Sequence, residues 1–207
     1  IADVGVSLSR EEASIAAEFT SINPNINCII DVLKEGKCAL VTSIEIFKYM
    51  IGFSLTEYFT MTLMMINGTF LTDGECIMID LFISLPLCSL LPLIPTHDKL
   101  TFHKPYCKLA SFPIFISLFI QVFINLLFQL GGLFSLNLFF PKSDPIYEKY
   151  RKCSKSPKTS DDNCLENSVL FLVSYPQYLF VGLVLITAAP FKKNIHSNLI
   201  LLIYIIV

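Results

Sequence analysis

The sequence predicts a mostly α-helical, polytopic membrane bundle. Of its 207 residues, 54% are hydrophobic and only 15% are charged. A soluble domain carries about 25% charge. The mean hydropathy is +0.64. The apolar residues fall into four blocks and a C-terminal run, separated by short charged stretches, which is the pattern of membrane spans. Most of the 18 Phe lie inside those blocks. The net charge of −2 comes with no basic, aromatic-interleaved patch, so no nucleic-acid partner is expected.

Along the chain, Ala2–Leu8 alternates like a short strand and its turn. Ser9 and Glu12 fit a capping box, predicting a short helix through Ala17. Asn23-Pro24-Asn25 reads as a turn and Asn27–Ile30 as a brief strand. From Asp31 a helical pattern runs on into the first apolar block with no Pro before Pro86. One long helix is therefore expected to rise from a polar segment, residues 1–40, into a transmembrane segment, residues 41–207. The spans are expected at about Ile44–Ile66, Cys76–Pro95, Phe112–Leu138 and Val169–Ala189, with a truncated fifth at Asn198–Val207. Each full span reaches roughly the 20 residues that cross about 30 Å of hydrocarbon. Ile1–Ser7 reads as the middle of something, no signal peptide is recognisable, and both ends are expected to be cut.

Orientation follows Lys and Arg near the span ends. With residues 1–40 cytosolic, that side receives Arg10, Lys34, Lys37, Lys48, Lys99, Lys104, Lys108, Lys192 and Lys193. The other receives Lys142, Lys149, Arg151, Lys152, Lys155 and Lys158, all in one loop. In that arrangement the loop is lumenal, and Cys153 and Cys164 within it are candidates for a disulfide. The other cysteines, 28, 38, 76, 88 and 107, show no metal spacing and read as buried or interfacial thiols. His97 and His103 have no third ligand nearby. The sequon Asn67-Gly68-Thr69 sits against the membrane and is expected to stay unused.

Two acids lie inside predicted spans. Intramembrane carboxylates usually face a bundle interior or a water path. Glu57 shares a helical stripe with Tyr49 and Phe53, each four residues apart. Asp80 shares a face with Ser84, and Pro86 soon breaks the helix, freeing backbone carbonyls of the kind that coordinate cations. Two carboxylates with aromatic rings suit a cationic small molecule. Glu45 and Lys48 read as residues snorkelling to the interface. Gln121, Asn125 and Gln129, followed by Gly131-Gly132, read as a helix–helix packing face. No nucleotide fingerprint, phosphate loop or Ser-His-Asp arrangement is present. Residue types and spacing alone stop at a polytopic protein handling a cation.

The opening Ala2-Asp3-Val4-Gly5-Val6-Ser7-Leu8-Ser9, with Glu12–Ala17 and Phe19-Thr20-Ser21, resembles the end of the phosphorylation domain of the type V P-type ATPases, with Glu18 where proline is usual. Lys34–Leu40, Phe47-Lys48-Tyr49-Met50, Ser54-Leu55-Thr56, Ile79-Asp80-Leu81, Gln129–Gly132, Glu166–Val169, Gln177-Tyr178-Leu179 and Ala189-Pro190-Phe191 continue the resemblance in order. It implies that residues 1–40 are the tail of a cytosolic α/β phosphorylation domain and stalk, and that the N-terminal side is cytosolic. The FKYM element and later segments resemble the B branch, which exports polyamines from late endosomes and lysosomes to the cytosol. The A branch, an endoplasmic reticulum helix dislocase, is less similar. ATP and Mg2+ would be bound by domains upstream of Ile1, so no catalytic residue is expected in this segment. Asp80 matches the family's acidic substrate residue. Glu57 stands where the family has Gln, and Phe53 where some members have Tyr. A cation channel, a secondary transporter and a membrane scaffold are the rival readings.

Overall fold

The computed structural model describes residues 5–8, 17–22, 25–105, 111–139, 165–186, 190–194 and 197–206. Two short strands, β1 (Val6–Leu8) and β2 (Phe19–Ser21), pair in parallel, with Val6 opposite Phe19 and Leu8 opposite Ser21. The alternation of residues 2–8 predicts β1 but not its partner. The expected capping box at Ser9–Glu12 lies outside the described residues. Ala17 stands in a β-bridge rather than at a helix end.

Helix α1 is a single 40-residue element, Asn27–Ile66. Asn27–Ile30 therefore forms its first turn, not the brief strand expected from its Ile pair. No breaker separates these residues from Asp31, and adding a turn to an existing helix is far easier than nucleating one. The far end of α1 closes in a Schellman motif. Gly68, at φ +77°, donates to the Met65 carbonyl at 3.0 Å, and the Thr69 amide donates to Met64 O at 3.0 Å. Asn67 turns its amide onto Leu63 O at 2.9 Å, and Thr69 is buried. The sequon is thus built into a helix terminus.

The second span, Asp73–Leu93, is compound. It comprises α2 (Asp73–Ile79), a π-helical segment (Asp80–Ser84), α3 (Leu85–Leu90) and a 3-10 turn (Leu91–Leu93). Its start is fixed by a capping box. Thr72 N donates to Glu75 Oε2 at 2.9 Å, and Glu75 N donates to Thr72 Oγ1 at 3.4 Å. Helix α4 is Phe112–Phe139 and α5 is Leu165–Leu185. The short α6, Leu199–Ile206, occupies the predicted truncated fifth segment. The fourth span begins four residues earlier than Val169. Glu166 and Asn167, polar enough to read as loop, are buried in the first turn of α5.

Four helices are long and apolar enough to cross a membrane, and the chain is a multi-pass membrane protein. α1, α4 and α5 pack on one another, the second span packs on α1 and α5, and α6 lies against α3. The main core joins Tyr49 and Phe53 of α1, Ile79, Ile83, Leu87 and Leu91 of the second span, and Tyr178, Val181 and Leu185 of α5. Outward-facing Phe119, Phe123, Phe128 and Phe134 on α4 are exposed, as lipid-facing residues are.

Two glycines allow the close crossings. A Cβ on Gly52 would lie 2.9 Å from Val181, and one on Gly182 would lie 2.8 Å from Leu87 and 3.3 Å from Tyr49. Replacing Gly182 by Val is therefore expected to destabilise the bundle by about 1–3 kcal/mol through overpacking. Thermal unfolding of the detergent-solubilised protein should show a lower midpoint than wild type.

Candidate functional site

The four predicted site residues occupy one region but different environments. Tyr49 and Phe53 are core residues, 0% and 5% exposed. Their ring centroids lie 6.1 Å apart, and Phe53 stacks at a tilt on Tyr178 at 4.9 Å. Glu57, one turn further along α1, is half-buried, and Asp80 is exposed at the start of the π-helical segment. The two carboxyl groups are near enough for their charges to interact. Cys76 lies within the field of both, and Tyr178 within that of Glu57. The Tyr49 hydroxyl is turned toward Ser84, and that of Tyr178 toward Thr60 and Ser174, yet both fall short of hydrogen-bond geometry.

Around Asp80 the backbone is remodelled by Pro86. A proline cannot donate to the carbonyl four residues earlier, here Phe82 O. The helix does not break, as the sequence suggests it would. Instead it widens, and Leu85 N donates to Asp80 O, a π-type bond. The freed Phe82 carbonyl accepts a hydrogen bond from the Tyr204 hydroxyl of α6. Sequence reasoning expects a freed carbonyl at this place; it does not supply Tyr204.

On the other side of α1 lies a neutral network. Asn125 Nδ2 donates to Thr56 Oγ1 at 3.0 Å. Gln129 Nε2 donates to Thr60 Oγ1 at 2.7 Å and to Gln177 Oε1 at 3.1 Å. Gln177 Nε2 returns to Asn125 O at 3.1 Å. Asn125 and Gln129 thus form a helix–helix face, as their spacing predicts, while Gln121 is only half-buried and makes none of these bonds. Gly132 completes the contact, since a Cβ there would lie 3.1 Å from Val173.

The end of the bundle that carries Glu45 holds what the sequence does not signal. Glu45 does not snorkel. Its residue is 2% exposed, and its carboxylate is paired directly with the fully buried Lys192 ammonium. Lys192 sits in an antiparallel bridge opposite Thr96, with His97 N donating to Phe191 O at 3.1 Å and Lys193 N to Pro95 O at 3.0 Å. Beside it, Lys193 meets Asp98 at 2.8 Å, and this ammonium holds the exposed Asp98 carboxyl below its usual range. Thr96 Oγ1 donates to Glu35 at 3.1 Å, and Lys37 donates to Thr101 O at 2.7 Å. The only advance signal for the pair is the placement of Glu45 inside an apolar stretch. A cavity of about 190 Å³ lies here, between Val41, Ile44, Glu45, Lys48, Ile114 and Phe191. It is half-open and mostly apolar, and the two acids and their aromatic neighbours make the stronger candidate site.

Cys153 and Cys164, the candidate disulfide, lie outside the described residues. Among the described residues no three His, Cys, Asp or Glu side chains converge as metal ligands.

No protein-family model matches the chain. It is 36% identical over 199 residues, 95% of its length, to the vacuolar cation-transporting ATPase YPK9 of Saccharomyces cerevisiae. It is 34% identical over 197 residues, again 95% of its length, to the polyamine-transporting ATPase 13A2 of Homo sapiens. With the human polyamine-transporting ATPase 13A3 the identity is 32% over 213 residues. Its relatives are cation-transporting ATPases. The chain spans only 13%, 16% and 17% of the lengths of these three proteins.

The neutral network yields a test. Gln129→Leu removes two hydrogen bonds from the interior, and such bonds within membranes average about 0.6 kcal/mol with a maximum near 1.7. A loss of about 1–2 kcal/mol is expected in denaturant unfolding from micelles, whereas Gln121→Leu should be close to neutral.

Proposed function

We propose that this chain is the membrane portion of a type V P-type ATPase that moves an organic cation, a polyamine, from an endosomal or lysosomal lumen toward the cytosol. One observation carries the reading. Glu45, Glu75 and Asp98 each have a hydrogen-bond or ion-pair partner, but Glu57 and Asp80, the two acids well inside spans, have none among the described residues. An unpaired carboxylate in hydrocarbon is unfavourable by about 2.5–3.5 kcal/mol on the insertion scale. Two of them, close enough to interact, are best explained by a cation that both receive. Tyr49, Phe53 and Tyr178 add aromatic faces, whose attraction for ammonium groups strengthens when water is excluded.

The similarity to cation- and polyamine-transporting ATPases over nearly all of the chain supports the same reading. In it, residues 1–40 end a cytosolic phosphorylation domain, α1 is the lever that carries its movement into the membrane, and the N-terminal side is cytosolic. ATP and Mg2+ would be held in those parts of the relatives that this chain does not span. Bound there, they would supply the phosphoryl transfer that drives transport. The residues of this chain do the receiving. Asp80 provides a charge at a widened helical turn, Glu57 provides the second, and the aromatic side chains limit the width of what enters.

In the intact protein, Asp80→Asn is expected to lower polyamine-stimulated ATP hydrolysis about tenfold, the loss expected when a bound cation forfeits one of its two charge partners. Glu57→Gln should mainly raise the half-maximal polyamine concentration. ATP-dependent release of labelled spermine preloaded into reconstituted vesicles checks both. Transport unchanged in Asp80→Asn would remove Asp80 from the site.

A further inference from the structure

Glu45 stands at the head of the candidate site's own stripe, four residues before Tyr49, eight before Phe53 and twelve before Glu57. At 1.5 Å per residue it lies about 18 Å from Glu57 along one uninterrupted helix. Its partner Lys192 is tied elsewhere. The bridge to Thr96 and the amide bonds of His97 and Lys193 fix it to the segment directly following Leu93, the last residue of the span that carries Asp80. One ion pair therefore connects the helix of Glu57 to the helix of Asp80.

Stability alone does not account for this pair. Its side chains are 0% and 3% exposed. Desolvating two charges so completely offsets most of their attraction, and apolar replacements of similar size are often as stable. What the pair does supply is exclusion of alternatives. Turning α1 by one residue rotates it about 100°. That turn would separate the two charges and leave both stranded in an apolar interior. Buried ionic groups act best as such register devices.

We propose that Glu45 and Lys192 are positioning residues. Their buried pair sets the rotation and height of α1 against the second span, and so the placement of Glu57 relative to Asp80. This inference rests on the transport reading above. It predicts that removing the pair changes how well the cation is held more than how fast the loaded protein turns over.

The test is spermine-stimulated ATP hydrolysis by the intact protein in reconstituted vesicles, with thermal unfolding measured alongside. In E45L/K192M, the half-maximal spermine concentration is expected to rise about tenfold, with the maximal rate within about twofold of wild type. The swap E45K/K192E should return to within about threefold, because the pair is rebuilt. A double variant that fails to fold leaves E45D, which keeps the charge on a shorter arm and should raise the half-maximal concentration at an unchanged unfolding midpoint. Wild-type affinity in a folded E45L/K192M or in E45D would overturn the inference, as would a folded swap no better than the double variant. Wild-type protein that does not respond to spermine at all would instead overturn the transport reading, and this inference with it.

Discussion

The bundle depends on one buried face of α1. Cys38, Val41, Thr42, Glu45, Tyr49, Gly52, Phe53, Thr56, Thr60 and Met64 recur at intervals of three and four, and every one is buried. Lipid is as apolar as a leucine side chain, so helices in a membrane are joined by close packing and hydrogen bonds rather than by the hydrophobic effect. The face is composed accordingly. Gly52 lets α5 approach, and the aromatic pair fills the space between α1, α5 and the second span. Thr42, Thr56 and Thr60 return their hydroxyls to carbonyls four residues earlier, so they enter the interior already satisfied. Thr56 and Thr60 then still have acceptor capacity for Asn125 and Gln129. A helix without this face would have neither a partner for α4 nor a seat for α5.

The second span shows how a local defect is contained. Pro86 removes one donor, the turn ahead of it widens by one bond, and the orphan carbonyl is taken by Tyr204. Membrane helices tolerate proline when a neighbouring element satisfies the freed group. The defect falls at Asp80, so the acid leaves the helix at a place where its hydrogen-bond ladder is already irregular. The capping box at Thr72 and Glu75 anchors the same span from its other end. Glu75 also accepts from Asn167 of α5, which fixes the second span to the start of that helix.

What the sequence made legible divides by range. The spans are readable because twenty apolar residues in a row have few other uses, and the uninterrupted α1 is readable because nothing in it breaks a helix. The Asn125–Gln129 face follows from spacing alone. The Thr72–Glu75 box is equally legible, as Thr-x-x-Glu ahead of an apolar run. Partners across the bundle are another matter. Glu45 and Lys192 are 147 residues apart, and Tyr204 is 122 from Phe82. Periodicity says which face a residue is on, not which element it meets. The Asn27–Ile30 error has a different origin, since two isoleucines favour a strand locally and the continuing helix overrides them.

The charges are also sorted by depth and by side. Between α1, α4 and α5 the polar groups are neutral amides and hydroxyls that bond chiefly to one another, so they offer a cation little. At the Glu45 end the buried acid is neutralised by Lys192, and the exposed Asp98 by Lys193. Glu57, half-buried on α1, and Asp80, exposed on the second span, stand on different helices and have no such partner among the described residues. A site divided this way has a geometry set by how two helices stand to one another, and a small rotation of either changes the separation of its two charges. A rigid pocket on a single helix would hold a cation equally in every state of the protein. In the proposed transporter, binding must be tight in one state and weak in another, and placing one acid on the stalk helix and the other on its neighbour makes affinity a function of their relative movement.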